Sequence, residues 1–185
     1  MYATNDNRQA MESRDRICEA LLNLMVQYQY KDITVTQICQ EAQIVRQTYY
    51  RNFEQRDDIL RYYLDNMVRL FFSDYFREDD VRTQLRIFFE YMLLSRDSLV
   101  LVSKNSLIIM LEEVITQNIT AFFAFRQIKN TNEPRLEKYV TRYIAATICS
   151  LLSLWILSEF DESPDTLSSL AQRFFAGVSG GKLSD

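Results

Sequence analysis

Glycine is almost absent from this chain of 185 residues, and this absence limits the possible folds more than any other feature. The only three glycines, Gly177, Gly180 and Gly181, lie in the last nine residues. Tight β-hairpin turns favour Asn-Gly or Asp-Gly pairs, and the chain contains neither pair. It also has only two prolines, and its apolar residues recur at helical spacing. The sequence therefore predicts an all-α protein.

The composition also excludes several classes of function. No glycine precedes position 177, so the chain has neither a Walker loop nor a Rossmann turn, because both need glycine where backbone meets phosphate. The chain has no histidine, which excludes Ser-His-Asp and Cys-His nucleophiles and His-ligated metals. No paired Asp/Glu or Cys setting lies in an apolar context. We therefore predict a protein that is not an enzyme and that uses no cofactor or metal.

Cysteines and hydropathy indicate the compartment. The three cysteines are far apart in sequence and form no C-x-x-C pair, which predicts buried thiols in a reducing compartment. The N-terminus is polar and lacks the apolar core of a signal sequence. The longest uncharged apolar stretch, residues 143–157, is shorter than the roughly 20 residues that span a bilayer. These features predict a cytoplasmic protein with no membrane partner.

Apolar periodicity and capping signals give the order of helices. Thr34 and Gln37 fit a capping box at the start of a short helix, and Ser163 with Pro164 fits the start of the last helix. Residues 1–8 are expected to be a loose tail, as are the residues after Gly177. The other helices are predicted at about residues 9–28, 46–52, 57–76, a segment around 85–92, 98–104, 106–127 and 135–160.

Residues 33–60, ITVTQICQEAQIVRQTYYRNFEQRDDIL, predict a helix-turn-helix unit, because two short helices flank a tight turn. Arginine can fork onto guanine, glutamine can pair with adenine, and a tyrosine hydroxyl can donate to phosphate. The second helix is expected to turn residues of these types outward and to keep others at or near its inner face. The outward set is Arg46, Gln47, Tyr50 and Arg51, and the inner set is Thr48, Tyr49 and Phe53.

This segment resembles the DNA-binding domain of the TetR/AcrR family of bacterial regulators. The resemblance covers about residues 9–76, and the ordered run YYRNFEQRDDIL is its most specific part. The segment Trp155 to Pro164 also looks like the junction before the final helix in many members. The matching positions are Ile33, Thr34, Val35, Ile38, Ala42, Thr48, Tyr50, Phe53, Asp57 and Leu60.

Three positions depart from the family pattern. Gln43 stands where the family has the turn glycine, so a left-handed backbone there would cost energy. Val45 replaces the usual capping serine of the recognition helix, and a valine cannot accept from helix amides. Arg56 replaces a lysine and keeps the positive charge for a phosphate contact. The placement of the recognition helix depends on how the turn at Gln43 is formed.

The resemblance implies a division of the chain and a set of roles. Residues 9–56 would form the helix-turn-helix DNA-binding domain, 57–76 a connecting helix, and 77–179 the effector-binding and dimerisation domain. The implied DNA contacts are Thr34, Val45, Arg46, Gln47, Thr48, Tyr50, Arg51 and Arg56. The candidate effector-pocket residues are Tyr63, Met67, Phe71, Phe88, Phe89, Met92 and Phe122.

The family dimerises through its last two long helices, here about residues 136–158 and 165–177. Residues 143–157 are apolar around the whole helix, so this helix must be covered on all sides. A fully buried central helix in a monomer is the alternative explanation. The residues expected at the dimer interface are Ile148, Leu152, Trp155, Phe174 and Phe175.

We therefore predict a homodimeric transcriptional regulator that binds a double-stranded DNA operator and responds to a small-molecule effector. The resemblance implies a repressor that the ligand releases from DNA. An activator would have the same sequence features. The net charge of residues 1–56 is zero and that of the rest is −4, so only the local cluster Arg46, Arg51 and Arg56 favours DNA. The alternative is a helical ligand- or protein-binding module without DNA-binding activity. The effector, the operator and the regulated genes are not visible in the sequence.

Overall fold

The computed structural model describes the backbone of residues 2–76, 80–126 and 134–179, and side chains within 10–76, 80–121 and 135–176. All regular secondary structure in these ranges is helical, which confirms the predicted all-α class. The α-helices are α1 (Tyr2–Gln27), α2 (Val35–Glu41), α3 (Arg46–Asn52), α4 (Arg56–Leu70), α5 (Val81–Leu94), α6 (Arg96–Lys104), α7 (Ile108–Arg126), α8 (Glu137–Leu157) and α9 (Pro164–Ser179). Short 3-10 helices span Tyr30–Asp32 and Pro134–Leu136, and a π-helical segment spans Phe71–Tyr75.

The chain divides into two compact units, residues 1–64 and 65–185. The division falls inside α4, within the segment that the resemblance assigned to a connecting helix. In the first unit, α1 packs against both α2 and α3, which also contact each other. Ile17, Leu21, Ile38 and Tyr49 are each no more than 1% exposed and form the centre of this small core.

The second unit is built around contacts of α5 with α9 and of α7 with α8, and α8 also contacts α6 and α9. By length and composition alone, α8 is the one helix in the described ranges that could cross a membrane. Its polar residues Thr141 and Ser153 are buried together with Ala145 and Ile156. α8 packs on three neighbouring helices, and 39% of its most apolar stretch is buried inside the chain.

Three helices end in a Schellman motif that contains no glycine, although glycine is the usual residue at the left-handed position. The left-handed residues are Gln43 after α2, Ser106 after α6 and Glu159 after α8, with φ angles of 53°, 61° and 56°, and Phe160, next to Glu159, is also left-handed with a φ of 64°. Each motif has the expected pair of backbone hydrogen bonds, such as Leu107 N–H to the Val102 carbonyl at 2.9 Å. A left-handed residue with a Cβ costs roughly 1–2 kcal/mol. The scarcity of glycine therefore leaves local strain at three turns.

Helix boundaries differ from the predictions at several places, and α8, for example, ends at Leu157 rather than at about 160. The predicted loose tail at residues 1–8 is wrong from Tyr2 onward, because α1 begins there and no proline or glycine interrupts it. The predicted 57–76 helix changes to π-helical geometry at Phe71. The last helix continues past Gly177 to Ser179. The remainder of the predicted C-terminal tail, 180–185, lies outside the described residues.

The predicted caps and buried thiols are confirmed. The Ser163 hydroxyl accepts from the Thr166 amide at 3.1 Å, and Pro164 is the first residue of α9. Cys18, Cys39 and Cys149 are all free and buried. Burial, with a smaller contribution from Asp15, raises the pKa of the Cys18 thiol to about 12, so this thiol stays protonated.

Candidate nucleic-acid interface

The first helix of the helix-turn-helix unit begins at the predicted capping box. The Gln37 amide donates to the Thr34 hydroxyl at 3.3 Å, and the Thr34 amide donates to the Gln37 side chain at 2.8 Å. These reciprocal bonds satisfy amides that a helix start leaves without partners. Thr34 is exposed, so the cap lies at the surface, where the sequence placed a candidate DNA contact.

The turn between α2 and α3 keeps the left-handed geometry even though Gln43 replaces glycine. The Ile44 amide donates to the Cys39 carbonyl at 2.9 Å, and the Gln43 amide donates to the Gln40 carbonyl at 3.1 Å. Arg16 of α1 adds two contacts, because its Nη2 donates to the carbonyls of Ala42 at 2.5 Å and Gln43 at 3.2 Å. A guanidinium from a neighbouring helix therefore helps to hold this turn in place.

The second helix, α3, begins at Arg46 and ends at Asn52, as predicted. Val45 is its N-cap residue; it makes no side-chain cap bond and is 66% exposed. Tyr49 is fully buried, and its ring meets that of Tyr50 edge-on at a centroid distance of 5.2 Å. Burial, together with Tyr50 and other nearby groups, raises the pKa of Tyr49 to about 12. The inward position predicted for Tyr49 is thus confirmed.

The opposite side of α3 faces solvent. Its exposed side chains are Arg46, Gln47, Tyr50 and Arg51, whereas Thr48 is partly buried. Positions i, i+1, i+4 and i+5 share one face of a helix, so these four side chains form a single surface. We call this set the α3 outer face. It combines two guanidinium groups, one amide and one phenol, all of which are groups that contact bases or phosphates.

Arg46 is tied to the preceding helix. Its Nη2 donates to the Thr36 hydroxyl at 2.5 Å, which joins the first residue of α3 to the second residue of α2. Thr36 is itself exposed. The guanidinium therefore has a defined orientation at the edge of the α3 outer face.

Arg56, another predicted DNA contact, makes contacts within the first unit. Its Nη1 donates to the Ile33 carbonyl at 2.7 Å, and its guanidinium lies over the Tyr30 ring, 4.2 Å from the centroid. The Tyr30 hydroxyl donates to the Asp57 carboxylate at 2.7 Å, and burial followed by this bond raises the pKa of Tyr30. Because these internal contacts occupy the guanidinium, we assign Arg56 a structural role at the start of α4. Its predicted phosphate contact stays a prediction.

Sequence reasoning missed Arg16, Thr36 and Tyr30. Each acts through a partner between 10 and 27 residues away in sequence, and local periodicity carries no information on such pairs. The presence of Gln43 in place of glycine was the one available signal for Arg16, because a strained turn needs support from elsewhere in the fold.

The predicted effector-pocket residues of the second unit form a packed core. Met67, Phe71, Phe88, Phe89 and Met92 are between 0% and 6% exposed. The ring of Phe71 meets that of Phe88 at 5.1 Å, and Phe88 meets Phe89 at 5.5 Å. Edge-to-face contacts of this kind stabilise a core, so these five side chains are core residues. Tyr63 is half-buried in the first unit, and the Phe122 side chain lies outside the described residues.

A groove of about 380 Å³ lies between α7 and α8 in the second unit, lined by none of these residues. The Glu112 carboxylate accepts from the Ser153 hydroxyl at 2.6 Å, which holds it in place. The Cys149 thiol and the Thr116 hydroxyl are 3.7 Å apart. The groove combines apolar surface with polar groups, and its lining residues are Ile109, Glu112, Glu113, Thr116, Gln117, Arg142, Ala146, Cys149 and Ser150.

Three of the residues predicted at the dimer interface are buried within the single chain. Ile148, Leu152 and Trp155 are 8%, 0% and 2% exposed in the single chain, so they already pack inside the subunit. Phe174 is 44% exposed, and Phe175 is partly buried with its ring 6.4 Å from that of Tyr143. The exposed residues of α8 are different ones, namely Lys138, Tyr139, Arg142, Tyr143, Ala146, Ser150, Leu154 and Leu157.

Two solved structures resemble this fold over nearly the whole chain. One is the dihydroxyacetone kinase operon activator DhaS, at a TM-score of 0.57 and 20% sequence identity, covering 90% of this chain and 95% of that one. The other is the fatty acid degradation regulator FadR from Bacillus halodurans, at a TM-score of 0.54 and 16% identity, covering 94% and 97%. No protein-family model and no curated protein sequence matches the chain.

Proposed function

We propose that this protein is a DNA-binding transcription regulator of the TetR/AcrR type, in which α3 reads the major groove. One observation carries the proposal: the α3 outer face presents Arg46, Gln47, Tyr50 and Arg51 together, on a helix anchored by buried Tyr49. A recognition helix needs this arrangement, with base-reading groups on one side and a rigid attachment on the other. The likeness of the fold to two transcription regulators supports the same assignment.

The DNA surface consists of the α3 outer face together with Thr34, Val45 and Thr48. In the division of labour that we propose, Arg46 and Gln47 reach base edges, and Tyr50 and Arg51 contact the backbone. Val45 is exposed, and its apolar side chain can contact the methyl group of a thymine. Thr34, through its exposed cap, and Thr48 complete the edge of the surface.

We propose that two copies associate through the exposed sides of α8 and α9. Tyr139, Leu154 and Leu157 are each more than 60% exposed on α8, and Phe174 is exposed on α9. Large apolar side chains on one helix side are a typical site for association with another subunit. Two copies would present two α3 helices to successive major grooves, about 34–36 Å apart. Sedimentation as a monomer at micromolar concentration would contradict this arrangement.

The α7–α8 groove is our candidate effector site in place of the aromatic core. Its lining, which joins apolar surface to carboxylate, hydroxyl and guanidinium groups, suits a small molecule with both apolar and hydrogen-bonding groups. Such a molecule would act by binding one arrangement of the dimer better than another. Filling the groove with Thr116→Leu should abolish the response to such a molecule and leave DNA binding unchanged. We propose a cytoplasmic repressor, so deletion of the gene should raise expression from its target promoter. A fall in expression would instead indicate activation, the mode that the name of DhaS states.

Selection from a pool of random duplexes of about 30 base pairs tests DNA binding, since that length holds two half-sites. We expect wild-type protein to enrich a two-fold symmetric sequence. Arg46→Ala should weaken binding to the enriched duplex by about 5- to 150-fold, the range for loss of one bidentate base contact. Lys104→Ala is the matched control, because it removes one exposed positive charge from the second unit. Absence of any enriched sequence would favour a ligand- or protein-binding module instead.

A further inference from the structure

The bond between Arg46 and Thr36 distinguishes Arg46 from the other arginine of the α3 outer face. Arg46 Nη2 donates to the Thr36 hydroxyl at 2.5 Å. Arg51 is exposed on the same face, and no bond or ion pair to it is found among the described side chains. The surface therefore holds one arginine with a fixed orientation and one that is free to sample rotamers.

Orientation matters for an arginine that reads a base. A surface arginine loses much rotamer freedom when it is ordered on a ligand, and that loss opposes binding. A guanidinium has five N–H donors, and the bond to Thr36 uses one of them. The remaining donors can still form a bidentate contact with guanine, and part of the ordering is already complete before DNA arrives.

We propose that Thr36 is a positioning residue that holds the Arg46 guanidinium for base reading and so sets the sequence preference at one base pair of the operator. The inference rests on the proposed function, since it concerns the same DNA surface. Thr36 acts from α2, through Arg46, and the hydroxyl is the only part of its side chain that the role requires. Arg51, without such an anchor, is assigned a phosphate contact that does not depend on sequence.

The two arginines should therefore behave differently. Arg46→Ala should relax the preference at one base pair in each half-site. Arg51→Ala should weaken binding to all duplexes about equally and should lower the slope of log affinity against log salt by about 1.

Thr36→Val and Thr36→Ser separate the hydroxyl from the shape of the side chain. Both are measured on the duplex enriched by wild-type protein, on versions of it changed at single base pairs, and on unselected random duplex. We expect Thr36→Val to bind the enriched duplex about 5- to 30-fold more weakly, within the range for one impaired base contact, and to bind random duplex like wild type. Thr36→Ser should bind within about 2-fold of wild type, because it keeps the acceptor.

The double variant Thr36→Val/Arg46→Ala should bind no more weakly than Arg46→Ala alone, because both changes remove the same contact. Thermal unfolding of all variants checks that the fold is unchanged, and Thr36→Ala replaces the valine variant if the latter does not fold. Wild-type affinity and preference in Thr36→Val would overturn the inference, as would an equal loss on enriched and random duplex. If wild-type protein enriches no sequence, the proposed function fails. If wild-type protein enriches a sequence but the Thr36 variants bind it like wild type, only the inference about Thr36 fails.

Discussion

The turn at Gln43 in the first unit and the turn at Glu159 in the second have the same backbone motif but are stabilised by different contacts. In both, a left-handed residue other than glycine follows the helix, and the next amide donates to the carbonyl five residues back. At the Glu159 turn, the rings of Trp155 and Phe160 pack at a centroid distance of 4.7 Å. The corresponding positions at the Gln43 turn hold Cys39 and Ile44, which are much smaller.

An arginine from another helix donates to a backbone carbonyl at each turn, but the hydrogen-bond distances differ. Arg16 donates to two carbonyls at the Gln43 turn, at 2.5 Å and 3.2 Å. Arg96 donates to the Glu159 carbonyl at 3.3 Å and lies 5.4 Å from the Phe160 ring centroid. The comparison teaches that a turn without glycine can be stabilised either by apolar packing within the turn or by a cation from another helix. At the Gln43 turn, the cation comes from α1 and so connects the turn to that helix.

Removal of the aromatic packing should have the largest effect. Trp155 is 2% exposed, its ring also meets Phe89 at 5.7 Å, and its indole N–H donates to the Glu162 carbonyl at 2.9 Å. We expect Trp155→Ala to lower the free energy of unfolding by about 3–5 kcal/mol, as large-to-small core changes do. Chemical denaturation measures this loss. Trp155→Phe should keep much of the packing and lose less, and an equal loss in both variants would show that the indole hydrogen bond dominates.

Removal of the cation should have an intermediate effect that differs between the two turns. We expect Arg16→Ala to lower the free energy of unfolding by about 1–2 kcal/mol, because two charge-assisted hydrogen bonds are lost from a partly exposed site. Arg96→Ala should cost less than about 1 kcal/mol, since its contacts are longer and exposed. Arg16→Ala should also weaken binding to the selected duplex, whereas Arg96→Ala should not. Equal effects of the two changes on both measurements would contradict the comparison.

Relief of the backbone strain should have the smallest effect and the opposite sign. We expect Gln43→Gly and Glu159→Gly each to raise the free energy of unfolding by about 0.5–1 kcal/mol. Glycine removes the left-handed strain but adds freedom to the unfolded chain. In the Gln43→Gly background, Arg16→Ala should weaken DNA binding less than it does in wild type. A loss of stability in either glycine variant would show that the native side chain makes a contact worth more than the strain.

Local signals predicted much of the candidate site. The capping box at Thr34 and Gln37, the bounds of α3 and the inward position of Tyr49 all depend on residues within one or two helical turns. For this reason they could be derived from spacing and side-chain chemistry alone. The same holds for Ser163 and Pro164 at the start of α9.

Roles that depend on distant partners could not be derived in this way. Arg56 has the charge expected of a phosphate contact, but its guanidinium also contacts the Tyr30 ring and the Ile33 carbonyl. Ile148, Leu152 and Trp155 are apolar enough for an interface, yet neighbouring helices of the same subunit already cover them. An apolar helix shows that a residue will be buried, but not which surface buries it.

By itself, the scarcity of glycine, together with apolar spacing, determined that this chain is helical and has neither a Walker loop nor a Rossmann turn, and the local spacing determined where α2 and α3 begin. Only the tertiary structure decided how the turn at Gln43 forms, because its stability comes from Arg16, 27 residues earlier in the chain. The tertiary structure likewise decided which arginine of the α3 outer face is oriented and which is not. Backbone conformation and capping depend on neighbouring residues, whereas the orientation of a long charged side chain depends on which acceptor the fold brings near it.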